Sequence, residues 1–203
     1  MRKYATQISE YSLYLKSIIN HTPPNIICLK YSVFLEMAKK IGSEWEVMIL
    51  GIIAGKFVIH PPRTSKEKVA FMTNAWSKVK ESKNAEYFID ATANLCDFAL
   101  KYLSTDKAAL LEEVFQTFKG LVSTSFNSEQ VIRGLEKLIR QLLISTSSTV
   151  DILNIDSLLP LFDFFSDSVK QKLCSTLILS VINSSKNISD PVIAHTLIKI
   201  GKY

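Results

Sequence analysis

Helix start signals recur along this chain and constrain its fold more than any other feature. In a capping box, the first side chain accepts a hydrogen bond from an amide of the opening turn, and the fourth side chain reaches back to the first amide. Three segments have this pattern, namely Ser43–Glu46, Thr64–Glu67 and Asn127–Gln130. Each one precedes an apolar run with helical spacing. The pattern predicts a string of short helices.

Proline and glycine supply the stop signals between these helices. Pro23-Pro24 and Pro61-Pro62 each interrupt a helical pattern, because proline lacks the amide that a helix interior needs. Gly42 follows the second predicted helix directly, at the position where a helix often ends with a residue in the left-handed conformation. Asp190-Pro191 has the cap-then-proline signature of a helix start. Pro160 lies inside an apolar segment, where only the first turn of a helix tolerates it.

Apolar residues between these signals recur at steps of three and four, which places them on one face of each helix. No segment alternates over enough residues to be a strand, so the sequence predicts an all-α fold of about ten helices. The clearest stripes are Tyr4, Ile8, Tyr11, Leu15 and Ile18; Val69, Met72, Trp76 and Val79; Phe88, Ala91, Leu95, Phe98 and Tyr102; Leu110, Val114, Phe118 and Leu121; and Val131, Leu135, Leu138 and Leu142.

The helices must pack on one another, because burial of one stripe returns less free energy than ordering that helix costs. Short loops make consecutive helices antiparallel neighbours. We therefore predict a HEAT-like α-solenoid of about ten antiparallel helices, with a compact irregular bundle as the alternative because no sequence repeat is visible. Residues 1–203 are expected to form one solenoid segment, with a possible sub-boundary at the Ser/Thr run 145–149.

The last helix suggests that the solenoid continues or docks on something. Only His195, Thr196 and Lys199 interrupt its apolar residues. The terminal repeat of a solenoid normally has a polar outer face. The sequence is therefore expected to be a segment of a longer solenoid, or one that docks on a partner.

Composition places the chain among globular proteins. Its 203 residues are 47% hydrophobic and 21% charged, enough to bury a core. No apolar run approaches the roughly 18 to 20 residues that span a bilayer. The polar stretch after Met1 lacks the apolar region of a secretory signal, so a cytoplasmic location is expected. Cys28, Cys96 and Cys174 are far apart, and we read them as buried small hydrophobes rather than a disulfide or zinc framework.

The net charge of +5 is concentrated in residues 56–83. A protein that binds nucleic acid through phosphates usually spreads basic residues along a whole face. One local patch is more typical of a solvated surface, with contact to a partner or to anionic lipid as the alternatives. The basic residues of the patch are Lys56, Arg63, Lys66, Lys68, Lys78, Lys80 and Lys83.

Catalytic and metal-binding patterns are not evident in the sequence. His21, His60 and His195 each lack a second ligand at helical spacing. No nucleophile elbow, P-loop or dinucleotide-binding glycine pattern occurs. Paired carboxylates such as Glu44 and Glu46 lie at helix starts, where they complement the helix dipole. We predict that the protein is not an enzyme, with no catalytic, cofactor-binding or metal-binding residues and no cofactor.

Some motifs have both a packing and a binding interpretation. Gly51 and Gly55 form a small-xxx-small motif, which in a soluble helix allows a neighbouring helix to come close. Trp45 and Trp76 lie on apolar stripes, which favours core packing, although an exposed tryptophan would anchor a partner. The apolar cluster Leu158–Phe165 is expected to be a buried hairpin helix, or alternatively a docking ridge.

Six strings go beyond this general helical pattern, namely His60-Pro61-Pro62, Asn74–Val79, Leu158–Phe165, Ser168-Val169, Leu173-Cys174 and Asp190–Ile193. In this order they resemble the middle of the vacuolar protein sorting 35-like endosomal sorting factors, which form the long solenoid subunit of the retriever complex. These motifs are packing motifs, so the resemblance assigns no partner-binding residue.

The resemblance implies a non-catalytic scaffold that supports recycling of integral membrane cargo from endosomes to the plasma membrane. It implies as partners an arrestin-like subunit, a phosphoesterase-fold subunit, coiled-coil and COMM-domain proteins, and a sorting-nexin adaptor. Membrane association would be peripheral and through these partners, with no nucleic acid bound. The alternative functions are an unrelated HEAT-like adaptor or regulatory domain, a nucleic-acid-binding helical repeat protein and, last, an enzyme.

Overall fold

The computed structural model describes residues 2–103, 107–124, 128–145, 155–184 and 191–203. These ranges form α-helices and one 3-10 helix and contain no strand, so the predicted all-α fold is confirmed. The helices are α1 (Arg2–His21), α2 (Pro24–Ile41), α3 (Ser43–Ile59), α4 (Ser65–Val79), α5 (Ala85–Tyr102), α6 (Lys107–Thr124), α7 (Ser128–Ser145), α8 (Ile155–Leu158), α9 (Asp167–Ser184) and α10 (Pro191–Gly201), with the 3-10 helix Leu159–Phe164 between α8 and α9.

Two compact units make up the chain, Met1–Thr105 and Asp106–Tyr203. The first unit contains α1 to α5, and the second contains α6 to α10. The sub-boundary that the sequence suggested falls in the Ser/Thr run 145–149, of which residues 146–149 lie outside the described residues. A single solenoid segment over residues 1–203 stays a prediction.

Helix α3 is the centre of the first unit. It packs most extensively against α5 and next against α2, while α4 packs against α5. When hairpins stack in an α-solenoid, a helix contacts both the preceding helix and the next but one in the chain. Helix α3 does this with α2 and α5. The first unit therefore has the local packing that the sequence predicted.

Gly51 explains why α3 and α5 come so close. A Cβ atom built on Gly51 would lie 2.8 Å from Cα and 3.0 Å from Cβ of Ala91 on α5, closer than real contacts allow. One turn later, a Cβ atom built on Gly55 would lie 3.4 Å from the side chain of Asn94. The small-xxx-small prediction is confirmed, because only glycine leaves room for the backbone of α5 at residue 51.

An aromatic cluster fills the core where four helices of the first unit meet. The rings of Phe57 and Phe71 lie 4.7 Å apart in edge-to-face geometry, and Phe71 also contacts Tyr31 and Phe98. Such pairs add to the free energy of apolar burial. Tyr102 extends the cluster by packing on Phe98 and donating a hydrogen bond to the Val58 carbonyl at 2.7 Å. The cluster thus joins α2, α3, α4 and α5.

In the second unit, α6 packs on α7 and α8, and α9 packs on α7 and α10. The predicted stripe of α7 is fully buried at Val131, Leu135, Leu138 and Leu142. The hairpin helix predicted over Leu158–Phe165 is instead a 3-10 helix, Leu159–Phe164, which follows the short α8 directly. Proline cannot donate to the α-helical ladder, and here it stands at the start of the 3-10 segment.

The cluster Leu158–Phe165 is mostly buried, as its packing interpretation predicted. Leu159 and Leu161 are covered, and Phe162 packs on Phe165 with ring centroids 6.3 Å apart. The alternative of an exposed docking ridge is therefore not supported.

The three predicted capping boxes have different outcomes. The Thr64 box is confirmed, with the Glu67 amide donating to the Thr64 hydroxyl at 3.1 Å and the Thr64 amide donating to the Glu67 carboxylate at 2.9 Å. The Ser43 box is wrong, because Gly42 is the cap residue and Ser43 is already helical. Asn127 lies outside the described residues.

Gly42 alone connects α2 and α3, and this explains the failed box. Its amide donates to the carbonyl of Ala38 on α2, and its carbonyl accepts from Glu46 on α3. Its φ of 155° and ψ of 161° lie in a region used almost only by glycine, rather than in the left-handed helical region that the sequence suggested. One residue thus ends one helix and begins the next, so no separate serine cap is needed.

Protonation of Glu67 should weaken the start of α4. Hydrogen bonds from the Thr64 amide and hydroxyl hold the pKa of the Glu67 carboxyl below its ordinary value of 4.5. A lowered pKa in the folded state stabilises the fold above the unfolded pKa, and this stabilisation is lost as pH falls through the folded pKa. We expect the melting temperature difference between the wild type and Glu67→Gln, followed by circular dichroism, to shrink between pH 7 and pH 3. A difference that grows at acidic pH contradicts this assignment.

Candidate interaction surface

Large apolar side chains are exposed together on the first two helices. Tyr11, Tyr14 and Ile18 of α1 follow one another at steps of three and four, so they share one side of that helix. Leu29, Val33 and Met37 of α2 recur at steps of four and share one side of α2. We refer to these six residues as the α1–α2 apolar face. Proteins rarely leave large apolar patches exposed unless something binds them.

The buried side of α1 differs from the stripe that its sequence suggested. Of the described residues in that stripe, Leu15 is buried, but Tyr11 is 68% exposed and Ile18 is 48% exposed. The side that packs on the unit contains Ser12 and Ile19 together with Leu15. Periodicity identifies residues that share a face, but it does not identify the face that a neighbour covers.

A groove runs along the α1–α2 apolar face. Its volume is about 640 Å³, and its described lining is Glu10, Tyr11, Tyr14 and Ile18 of α1 with Met37 of α2. The described lining is mostly apolar, and its polar groups are the Glu10 carboxylate and the two tyrosine hydroxyls. This volume lies within the usual range of ligand pockets. The surface can bind an apolar group, and its described lining residues supply no nucleophile or proton-transfer pair.

Lysines border the α2 side of this face. Lys30 precedes Val33 by three residues, and Lys40 follows Met37 by three, so both lie on the same side of α2 as the apolar residues. Both lysine residues are exposed. The exposed Glu36 follows Val33 by three residues and lies on this side as well, so charges of both signs border the apolar residues of α2. On the α1 side, the Glu10 carboxylate lines the groove.

The sequence pattern does not indicate this face as a binding surface. The spacing of apolar residues in α1 predicts a packing stripe, and no role was predicted for Leu29, Val33 and Met37. One signal was available, because α1 has apolar residues on two sides, at Leu15 and Ile19 and at Tyr11 and Tyr14. A helix that packs on one neighbour needs only one apolar side.

Glu44 holds the loop between α4 and α5, a role that the sequence did not indicate. Its carboxylate accepts hydrogen bonds from the Ser82 hydroxyl at 2.6 Å, the Lys83 amide at 3.0 Å and the Asn84 amide at 3.2 Å. Asn84 in turn caps α5 by accepting from the Tyr87 amide. Glu44 therefore fixes the start of α5 from the first turn of α3, in addition to the dipole role that was predicted.

Replacing Glu44 with alanine should release this loop. The change removes the acceptor of the Lys83 amide, while the Ser82 hydroxyl keeps the Asn84 carbonyl at 3.3 Å and the Asn84 amide keeps the Ser82 hydroxyl at 3.2 Å. Three hydrogen bonds to a carboxylate are lost, so we expect a loss of about 1 to 3 kcal/mol in the free energy of unfolding. Hydrogen exchange measured by NMR should show faster exchange at the amides of Lys83 and Asn84. Glu46→Ala is the matched control, since Glu46 also lies in the first turn of α3. Equal exchange rates at both amides in the two variants contradict the assigned role.

The basic segment 56–83 has two structural roles in the first unit. Lys56 Nζ donates to the Asn20 carbonyl at 2.6 Å and so caps the end of α1. Lys68 Nζ lies 5.2 Å from the ring centroid of Tyr102, a cation–π contact. The other basic residues of the segment are exposed, namely Arg63, Lys66, Lys78, Lys80 and Lys83. The interpretations of a solvated surface and a partner or lipid contact both stay open for them.

The histidines and cysteines form no metal site in the part of the chain that the structure describes. His21 and His195 are exposed at separate helices, as is His60 at the end of α3. Cys96 is buried as predicted, and burial raises the pKa of its thiol to about 12. Cys28 and Cys174 are only partly buried, and burial raises the pKa of each thiol. Thiols with raised pKa values are weak nucleophiles at neutral pH.

Charged contacts hold α10 and the residues after it against α8 and α9 of the second unit. Lys199 of α10 pairs with Asp156 of α8, and Lys170 of α9 pairs with Asp163 at 3.0 Å. Lys170 Nζ also lies 4.8 Å from the ring centroid of Tyr203. Ile200 is buried, whereas Val192 and Ile198 are exposed. The last helix is thus partly covered within its own unit.

None of the described helices is both long enough and apolar enough to cross a lipid bilayer.

The comparison with protein families decides the lineage. The sequence model of the VPS35L C-terminal domain matches residues 1–203. The chain belongs to the VPS35L family. This confirms the relationship to the vacuolar protein sorting 35-like factors that the sequence motifs indicated. The motifs suggested the middle of that family's chain, whereas the match is to its C-terminal domain.

A curated relative agrees with membership in the VPS35L family. It is the VPS35 endosomal protein sorting factor-like protein of Dictyostelium discoideum, which is 19% identical over 198 residues. The alignment covers 96% of this chain and 20% of the relative, so the chain spans about a fifth of the relative's length.

Proposed function

We propose that this chain is a non-catalytic scaffold in endosomal sorting, of the retriever type. In this role it supports recycling of integral membrane cargo from endosomes to the plasma membrane. It associates with the cytoplasmic side of endosomes through protein partners and requires no cofactor. By family resemblance these partners are an arrestin-like subunit, a phosphoesterase-fold subunit, coiled-coil and COMM-domain proteins, and a sorting-nexin adaptor.

The observation that carries the proposal is the match of the VPS35L C-terminal domain over the whole chain. The α1–α2 apolar face agrees with it, because a scaffold needs surfaces that bind other proteins. The arrangement of helices also agrees with it. Packed helical hairpins give extended surfaces for binding rather than a site built for one reaction.

Affinity purification from the native cell tests this proposal. The tagged chain is purified under mild conditions, and the recovered proteins are identified by mass spectrometry. We expect to recover an arrestin-like and a phosphoesterase-fold protein and to find the chain in endosomal fractions. The tag alone is the control. Reproducible complexes that lack both proteins, together with absence from endosomal fractions, contradict a retriever-type role.

A further inference from the structure

We draw no further inference here: the strongest candidate, the α1–α2 apolar face of the first unit with its groove beside Tyr14 and Met37, is bordered by charges of both signs, and nothing in the structure shows what covers it.

Discussion

Replacing Trp76 with alanine should lower the free energy of unfolding of the first unit by about 3 to 5 kcal/mol. Trp76 lies on α4 with only 5% of its surface exposed, and its ring packs on Phe88 of α5 at 6.5 Å. Truncation to alanine would leave a cavity that the packed helices can close only in part. Urea denaturation measures the loss. The chain has two tryptophans, and both lie in the first unit, so Trp45 fluorescence still reports its unfolding.

Two control variants separate the contribution of the Trp76 ring from that of its polar atom. The indole Nε1 has no hydrogen-bond partner among the described residues, so Trp76→Phe loses no hydrogen bond and should cost clearly less than Trp76→Ala. Tyr14→Ala, at a ring that is 73% exposed, should change stability by less than about 0.5 kcal/mol. An unchanged urea midpoint for Trp76→Ala would place this side chain on the surface.

The second large effect is expected at Gly51, where valine should cost about 3 kcal/mol. Any side chain there meets the backbone of Ala91 on α5, and backbone atoms cannot move aside as a flexible side chain does. The two helices must separate, and the aromatic cluster between them then loses contacts. Tryptophan fluorescence in urea measures the loss of stability in the first unit.

Gly120→Val is the matched control for Gly51→Val. Gly120 also lies inside a helix, α6, but a Cβ atom there meets nothing within 4 Å. Valine is slightly better than glycine in a helix, so we expect a change within about 0.5 kcal/mol. Circular dichroism follows this variant, since α6 lies in the second unit. Similar losses for both variants would show that helix propensity, rather than the contact with Ala91, limits residue 51.

Long-range contacts explain why the sequence did not predict the structural roles of Lys56 and Glu44. Lys56 belongs to a basic segment in sequence, but it caps α1 because Asn20 lies beside it in the fold. Glu44 is the second helical residue of α3, so its dipole role was predictable, whereas its contact with the loop at residues 82–84 was not. Both partners are more than thirty residues away along the chain, and side-chain spacing carries no information about them.

The sequence by itself determined the fold class and most helix ends, because capping and proline stops act within one turn. As predicted, Thr64 and Glu67 form their box, α1 ends before Pro23-Pro24, and Pro191 stands at a helix start. The tertiary structure alone decided which side of α1 is covered. Periodicity groups Tyr11 with Leu15, but burial depends on where α2 and α3 lie. Packing covers Leu15 and Ile19 and leaves Tyr11, Tyr14 and Ile18 as an open apolar surface.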